Sequence, residues 1–157
     1  MKIRKATKKD LDIIVDFSCK LILEHEKRFS DFPRLSKNLH SKQRRFFKKY
    51  ITRKDAVAFI AIEKGKPIGH LLGNEKKDFP VFAESERPMG HVGNFYVEPE
   101  FRGKGVGKKL FAELKKWFKK RGLKKAEVDF ITSNKRTKKL YKELGFQPHE
   151  EKWRIRL

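Results

Sequence analysis

Arg102-Gly103-Lys104-Gly105-Val106-Gly107-Lys108 sets three alternating glycines among three cations. The chemistry open to such a stretch is anion binding. Backbone N–H groups at the start of a helix have no helical acceptor and carry the positive end of its dipole. Glycine lets a phosphate come close to the backbone and tolerates φ > 0. Arg102 and Lys104 would add charge and donors. Two familiar phosphate loops are excluded by spacing. A Walker A loop needs glycine where Arg102 stands and Ser or Thr where Lys109 stands. The dinucleotide fingerprint needs a third glycine where Lys108 or Leu110 falls.

A strand must lead into this loop and a helix must leave it. Val92 to Val97 is rich in aromatic and β-branched residues and stops before Pro99, which cannot donate to a ladder. From about Gly105 to Arg121, Val106, Leu110, Leu114, Trp117 and Phe118 recur at helical spacing, with most lysines off that stripe.

Arg-x-x-Gly-x-Gly at Arg102, Gly105 and Gly107, directly after a Val-x-Pro strand end, resembles the acetyl-CoA pyrophosphate loop of the GNAT superfamily of N-acetyltransferases. A second block, Asn134 to Phe146, resembles that family's C-terminal signature Asn-x-x-Ala-x-x-x-Tyr-x-x-x-Gly-Phe, with Thr137 in place of the usual alanine. The resemblance implies direct attack of a primary amine on the acetyl-CoA thioester in a ternary complex, with acetyl-CoA as co-substrate and no metal. The amine could belong to a protein N-terminus, a lysine or a small molecule.

Carried over residue by residue, the family pattern gives the pyrophosphate to Arg102, Gly103, Lys104, Gly105, Val106, Gly107 and Lys108. It gives the pantetheine arm to the strand backbone at Phe95, Tyr96 and Val97. Tyr141 would protonate the departing thiolate: a phenol of pKa ~10 suits a thiol near ~8.5. The plainer reading of Tyr141 is a buried core residue. Asn134 would contact the cofactor, or simply cap a helix. The general base stays open between Asp129, His91, Glu98 and ordered water with backbone carbonyls. His91 brings a side chain that titrates near neutrality. Cys19 reads as a packed thiol rather than a nucleophile. By the same resemblance, Glu24 to Tyr50 carries acceptor choice. Glu24, Glu26 and Asp31 could meet a cationic acceptor or form a solvated helix face.

The remaining elements follow in order. Lys2–Ala6 reads as a strand, and Thr7-x-x-Asp10 as a capping-box variant opening a helix that runs to about Phe29. A basic helix covers about Asn38 to Ile51. Ala56–Glu63 and Ile68–Gly73 form a hairpin around the turn Lys64-Gly65-Lys66-Pro67, and Lys76–Met89 reads as a loop. His91–Val97, Lys125–Ile131 and Glu151–Leu157 are strands, and Asn134–Leu144 is a helix. The expected fold is mixed α/β, a mostly antiparallel splayed sheet flanked by helices, in a single domain over residues 1–157.

Hydrophobic residues make up 38% of the chain, but 14 phenylalanines supply large apolar surface for a core. One cysteine allows no internal disulfide, and no apolar run reaches the ~20 residues of a membrane span. With no signal-peptide pattern, a cytoplasmic location is expected. The five histidines show no metal-ligand spacing. The net charge of +21 favours polyanions such as RNA or a ribosomal surface, unless it reflects a lysine-rich proteome. Lys42 to Lys49 interleaves basic and aromatic residues, so a GNAT-like RNA or ribosome binder without catalysis is the competing reading. Monomer and homodimer are both compatible with the sequence.

Overall fold

The structure, a computed structural model, describes residues 1–30, 32–77, 88–153 and 155. Strand β1 (Lys2–Lys5) precedes helices α1 (Leu11–Arg28) and α2 (Leu39–Tyr50). Strands β2 (Ala56–Glu63), β3 (Lys66–Lys77) and β4 (Pro88–Val97) follow, then helix α3 (Val106–Lys120), strand β5 (Ala126–Val128) and helix α4 (Lys135–Glu143). The sheet order is β1-β2-β3-β4-β5, antiparallel at every junction except the parallel pair β4–β5.

Strand β2 explains the layering. Its first six residues are all buried, as expected of a strand covered on both faces. Val57, Phe59 and Ala61 join Leu110, Leu114 and Phe118 of α3 and Tyr141 of α4. Ala56, Ala58 and Ile60 join Ile14 and Val15 of α1 and Phe47 and Tyr50 of α2. The period-2 alternation of one strand thus divides two cores. Lys64 (φ 47°) and Gly65 (φ 78°) close the β2–β3 hairpin, the two positive φ angles of a tight two-residue turn.

Three expectations change. The strands flanking the Lys76–Met89 segment are longer than their sequence suggests: Lys76 pairs with Met89 and Lys77 with Pro88. A proline as first strand residue costs no ladder bond. The rest of that segment, 78–87, lies outside the described residues, as does Asp31. Strand β5 shrinks to three residues because β4 offers it only Gly90 to Val92. Residues 151–153 and 155 form no strand, and Trp153 and Ile155 are exposed. Their alternating pattern has no ladder among the described residues to join.

A bulge in β4 places the site. Leu71 pairs with Phe95 but Gly73 pairs with Val92, so Gly93 and Asn94 together oppose Leu72. The extra residue reverses which faces the following side chains meet. Val92 and Phe95 both pack in the α3 layer, although they are three positions apart, an odd spacing that puts side chains of a regular strand on opposite faces.

Candidate active site

Strand β4 presents open backbone at the place where β5 leaves it. Glu98 N–H donates to Ile68 O at 2.9 Å, and Tyr96 lies opposite His70. By ladder parity, the main-chain groups of Tyr96 point to β3, and those of Phe95 and Val97 point the other way. On that other side β5 pairs only as far as Val92. The result is a gap between strands, and on one wall the Phe95 peptide groups and the Val97 N–H have no partner among the described residues. Tyr96, grouped with its neighbours on the sequence, does not share in this wall. Its ring is buried beside Phe17, and its hydroxyl donates to Glu98 at 3.1 Å.

The glycine loop stands at the end of this gap. Gly103 (φ 74°) and Gly105 (φ 77°) hold the left-handed backbone, and nothing lies within 4 Å of a Cβ built on either. Gly107 has a different role. A Cβ there would sit 2.9 Å from Phe95 Cζ, so this glycine lets α3 press onto β4. The first bond of α3 runs from Lys109 N–H to Gly105 O at 3.1 Å, and the donors before it are the open first turn. Val106 anchors this turn in the core. Lys108 pairs with Glu143 of α4 at 2.9 Å, and the Lys104 ammonium lies 5.6 Å from the Phe101 ring centroid.

Arg102 is turned away from the loop. Its Nε donates to Val97 O at 2.8 Å, and its two other nitrogens reach Glu24 at 3.2 and 2.6 Å. Glu24 also accepts from Arg28 at 2.9 Å and lies 3.5 Å from Arg136. Burial works against the Glu24 charge, but Arg102 and Arg28 outweigh it and hold the carboxyl below its ordinary range. Glu24 is therefore committed to arginines rather than open to a cationic acceptor. Glu26 accepts from Leu35 N–H at 3.0 Å. Three guanidiniums around one carboxylate leave positive charge beside the loop.

Tyr141 sits between Phe130 and Phe146, with ring centroids 5.5 and 5.3 Å away, and burial pushes its phenol pKa up. The phenol is thus held protonated. Asn134 is the N-cap of α4: its Oδ1 accepts from Thr137 N–H at 3.2 Å. Cys19 packs against the α1–α2 core, where burial raises its thiol pKa.

Two of the base candidates prove to be partners. His91 Nε2 lies 3.4 Å from Asp129 Oδ2, and Lys152 Nζ lies 3.4 Å from the other carboxylate oxygen. Burial opposes the charge of Asp129, but Lys152 and His91 prevail and hold it below the ordinary carboxylate range. Glu127 brings a third ligand-type atom within 4.8 Å, and its carboxylate is paired to Lys76 at 2.5 Å. Glu98, the third side-chain candidate, is mostly buried and takes both Lys20 and the Tyr96 hydroxyl.

On its other side His91 lines a cavity of about 530 Å³ between α1, α2 and β4. Gly93 and Asn94 of the bulge form part of its floor. The open backbone faces one side of β4 and this cavity the other, and the bulge lies where they meet.

The family model for the acetyltransferase (GNAT) family matches residues 21–146. The chain belongs to the GNAT acetyltransferase family. Among its GNAT relatives, an uncharacterized N-acetyltransferase of Methanocaldococcus jannaschii is 29% identical over 155 residues, 94% of this chain and 61% of the relative. Glucosamine 6-phosphate N-acetyltransferase of Trypanosoma brucei brucei is 31% identical over 93 residues, 59% of this chain and 61% of the relative. Aminoglycoside N(6′)-acetyltransferase type 1 of Salmonella typhimurium is 29% identical over 93 residues, 59% of this chain and 63% of the relative. The matches thus span about three fifths of each of these relatives. A crystal structure of a predicted acetyltransferase with acetyl-CoA from Clostridium acetobutylicum shares the fold at a TM-score of 0.80 and 21% identity, covering 99% of this chain and 95% of that one.

This GNAT chain also holds a buried polar chain that sequence reasoning missed. His70 Nε2 lies 2.6 Å from Asn94 Oδ1, Asn94 Nδ2 donates to Ser18 Oγ at 3.0 Å, and Ser18 Oγ donates to Gln43 Oε1 at 3.1 Å. Burial drops the His70 pKa to about 4, against the raising effect of Asn94, so the ring is neutral. With the Asn94 amide donating to Ser18, His70 donates from Nε2. Its Nδ1 is buried without a partner among the described residues. The signal was a polar residue at core spacing: Ser18 interrupts the apolar stripe of α1, and His70 interrupts an apolar strand. Together they clamp the bulge residue Asn94.

Proposed function

We propose that this chain transfers an acetyl group from acetyl-CoA to a primary amine by direct attack. The observation that carries the reading is the open β4 backbone, the Phe95 peptide groups and the Val97 N–H, which leads to the left-handed glycines of the loop. An extended pantetheine arm with its amides can add to that wall as a strand would. The pyrophosphate then meets the open N–H groups of Gly103 to Lys108. A Phe95 or Val97 N–H near the thioester would stabilise the developing oxyanion. Tyr141 is the proton source for the thiolate: burial keeps its phenol protonated until the C–S bond breaks, and the phenolate left then recovers a proton from solvent.

The base assigned here is His91, with Asp129 as its orienting partner. An aspartate held below its ordinary range is a weak proton acceptor and a good counter-charge for an imidazolium. His91 alone of the pair also lines the cavity beside the bulge. The amine enters through that cavity and gives its proton to His91 as the C–N bond forms. The C–S bond then breaks, and the thiolate takes the Tyr141 proton.

Calorimetric titration with acetyl-CoA tests the reading. Micromolar binding by the wild type and its loss in Gly105→Glu are expected, because that change puts a carboxylate where the pyrophosphate lies. Absence of binding by folded wild type refutes it. The RNA-binding reading keeps one support: Lys42, Arg45, Lys48, Lys49 and Phe46 of α2 are all exposed. RNA affinity falling steeply with salt, without acetyl-CoA binding, would favour it.

A further inference from the structure

Resting on that reading, we infer that the cavity between α1, α2 and β4 takes a monoamine with a ring-shaped body and one oxyanion, a carboxylate or a phosphate, which ends at Lys42. The first reason is the wall. Phe46 lies 5.0 Å from Phe47 and 6.0 Å from Tyr50, measured between ring centroids, and the three rings form one aromatic side. Ile22 and Leu72 continue it. Phe46 is 58% exposed, so its ring has an open face on which a flat group can stack. A volume near 530 Å³ suits a small molecule, and a ring suits stacking.

The second reason is that the carboxamides of the cavity already have partners. Gln43 Oε1 accepts from Ser18, and Asn94 is held by His70 and Ser18. Asn74 donates to Glu75 O at 2.9 Å and lies 3.5 Å from the Tyr50 hydroxyl. They shape the cavity more than they ask for a ligand.

The third reason is charge. Among the described residues, the cavity wall contains a lysine and a histidine but no carboxylate. Lys42 has no ion-pair partner among them. Glu24, on the same helix as Ile22, is held by arginines. A polyamine or an aminoglycoside would bring several cations against Lys42 and an apolar wall in a chain of net charge +21. One oxyanion meets Lys42 favourably, and one amine can lose its proton to His91. An acceptor with both satisfies each charged group that the wall offers.

The test is steady-state thiol release at saturating acetyl-CoA with two matched pairs and a polycation. L-phenylalanine and phenethylamine differ only by a carboxylate; glucosamine 6-phosphate and glucosamine differ only by a phosphate; kanamycin is the polycation. Wild type, Lys42→Met and Lys42→Glu are compared. In at least one pair the member with the oxyanion should exceed its analogue without it by about tenfold or more in kcat/KM, the order of one charge-assisted contact. Which pair shows the preference identifies the oxyanion. Lys42→Met should bring that ratio to about one without changing acetyl-CoA affinity, and Lys42→Glu should reverse it. Equal rates within both pairs, preference for kanamycin, turnover of no acceptor, or a ratio that survives Lys42→Met each overturns the proposal. Acetyl-CoA titration of the same samples separates the failures. Binding with any of these outcomes sinks the acceptor class alone, whereas no binding sinks the transferase reading with it.

Discussion

Replacing Gly105 separates two reasons for a glycine. The residue sits at φ 77°, ψ 2°, directly before the first turn of α3. A Cβ there meets nothing within 4 Å. Alanine therefore costs the free protein only left-handed strain, about 1–2 kcal/mol. In a chain of this length that is a fall of about 2–8 °C in Tm. Asparagine visits the left-handed region more readily, so its fall should be smaller. Cofactor binding should rank the two the other way. If the pyrophosphate lies on the loop, the space that is open in the free protein belongs to the phosphate, and the larger side chain intrudes further. Loss of one charge-assisted hydrogen bond costs about 1.5–3 kcal/mol, roughly ten- to hundredfold in Kd. Differential scanning calorimetry and acetyl-CoA titration on Gly105→Ala and Gly105→Asn read both quantities. The expected result is better folding but weaker binding for asparagine than for alanine. If Kd instead follows Tm, so that asparagine restores both, the glycine serves the turn alone and the pyrophosphate is elsewhere.

His91→Gln should lower kcat by about 10²–10⁴-fold with acetyl-CoA affinity intact. Asp129→Asn should lower kcat less steeply, since the imidazolium formed in the transfer loses a counter-charge; an unchanged kcat would end the pairing argument. His70 predicts an acid-labile core. Its folded pKa of about 4 is below the ordinary 6.5, so between those values the unfolded chain binds a proton that the folded chain refuses. Stability should fall by about 3 kcal/mol as pH drops through that window, and His70→Leu should flatten the slope there in pH-dependent melts. Asp10 acts lower on the scale. Arg4 and Thr7 hold its carboxyl at about 2 against an ordinary 3.8, so its contribution of about 2 kcal/mol is present above 3.8 and lost as pH falls through 2. Asp10→Asn should remove that amount near neutrality, measured by urea unfolding.

Local pattern carried much of this architecture. The stripe of α3, the hairpin at Lys64-Gly65 and the glycine loop are all short-range features, in which neighbours on the chain decide the geometry. Long-range pairing was less legible. The extent of β5 depends on how far β4 accompanies it, and that depends on a bulge with no mark in Gly93-Asn94 beyond a single glycine. Residues 151–153 and 155 alternate like a strand but have no neighbouring edge among the described residues. At the site, Phe95 and Val97 follow from alternation along a strand, whereas the exclusion of Tyr96 follows from the same alternation read against a partner strand. Arg102 shows the limit of a motif. Its charge was legible, but the Glu24 carboxylate that turns it away lies 78 positions distant on α1.

The bulge gives these observations a common cause. A regular β4 would keep Val92, Asn94 and Tyr96 on one face and continue the ladder on both edges. With Gly93 and Asn94 opposing Leu72, the strand shifts by one residue and its upper half leaves β5. That departure opens peptide groups on the edge that β5 leaves and brings Asn94 to the cavity on the α1–α2 side. A bulge tends to relax unless something over-determines it, and here the His70–Asn94–Ser18–Gln43 chain does so, reaching from β3 through α1 to α2. The open β4 backbone and the cavity between α1, α2 and β4 are therefore mechanically linked through the bulge. A change that loosens the clamp, such as Ser18→Ala, should disturb acceptor turnover more than acetyl-CoA affinity, because the glycine loop stands on α3 and keeps its own support in the opposite core.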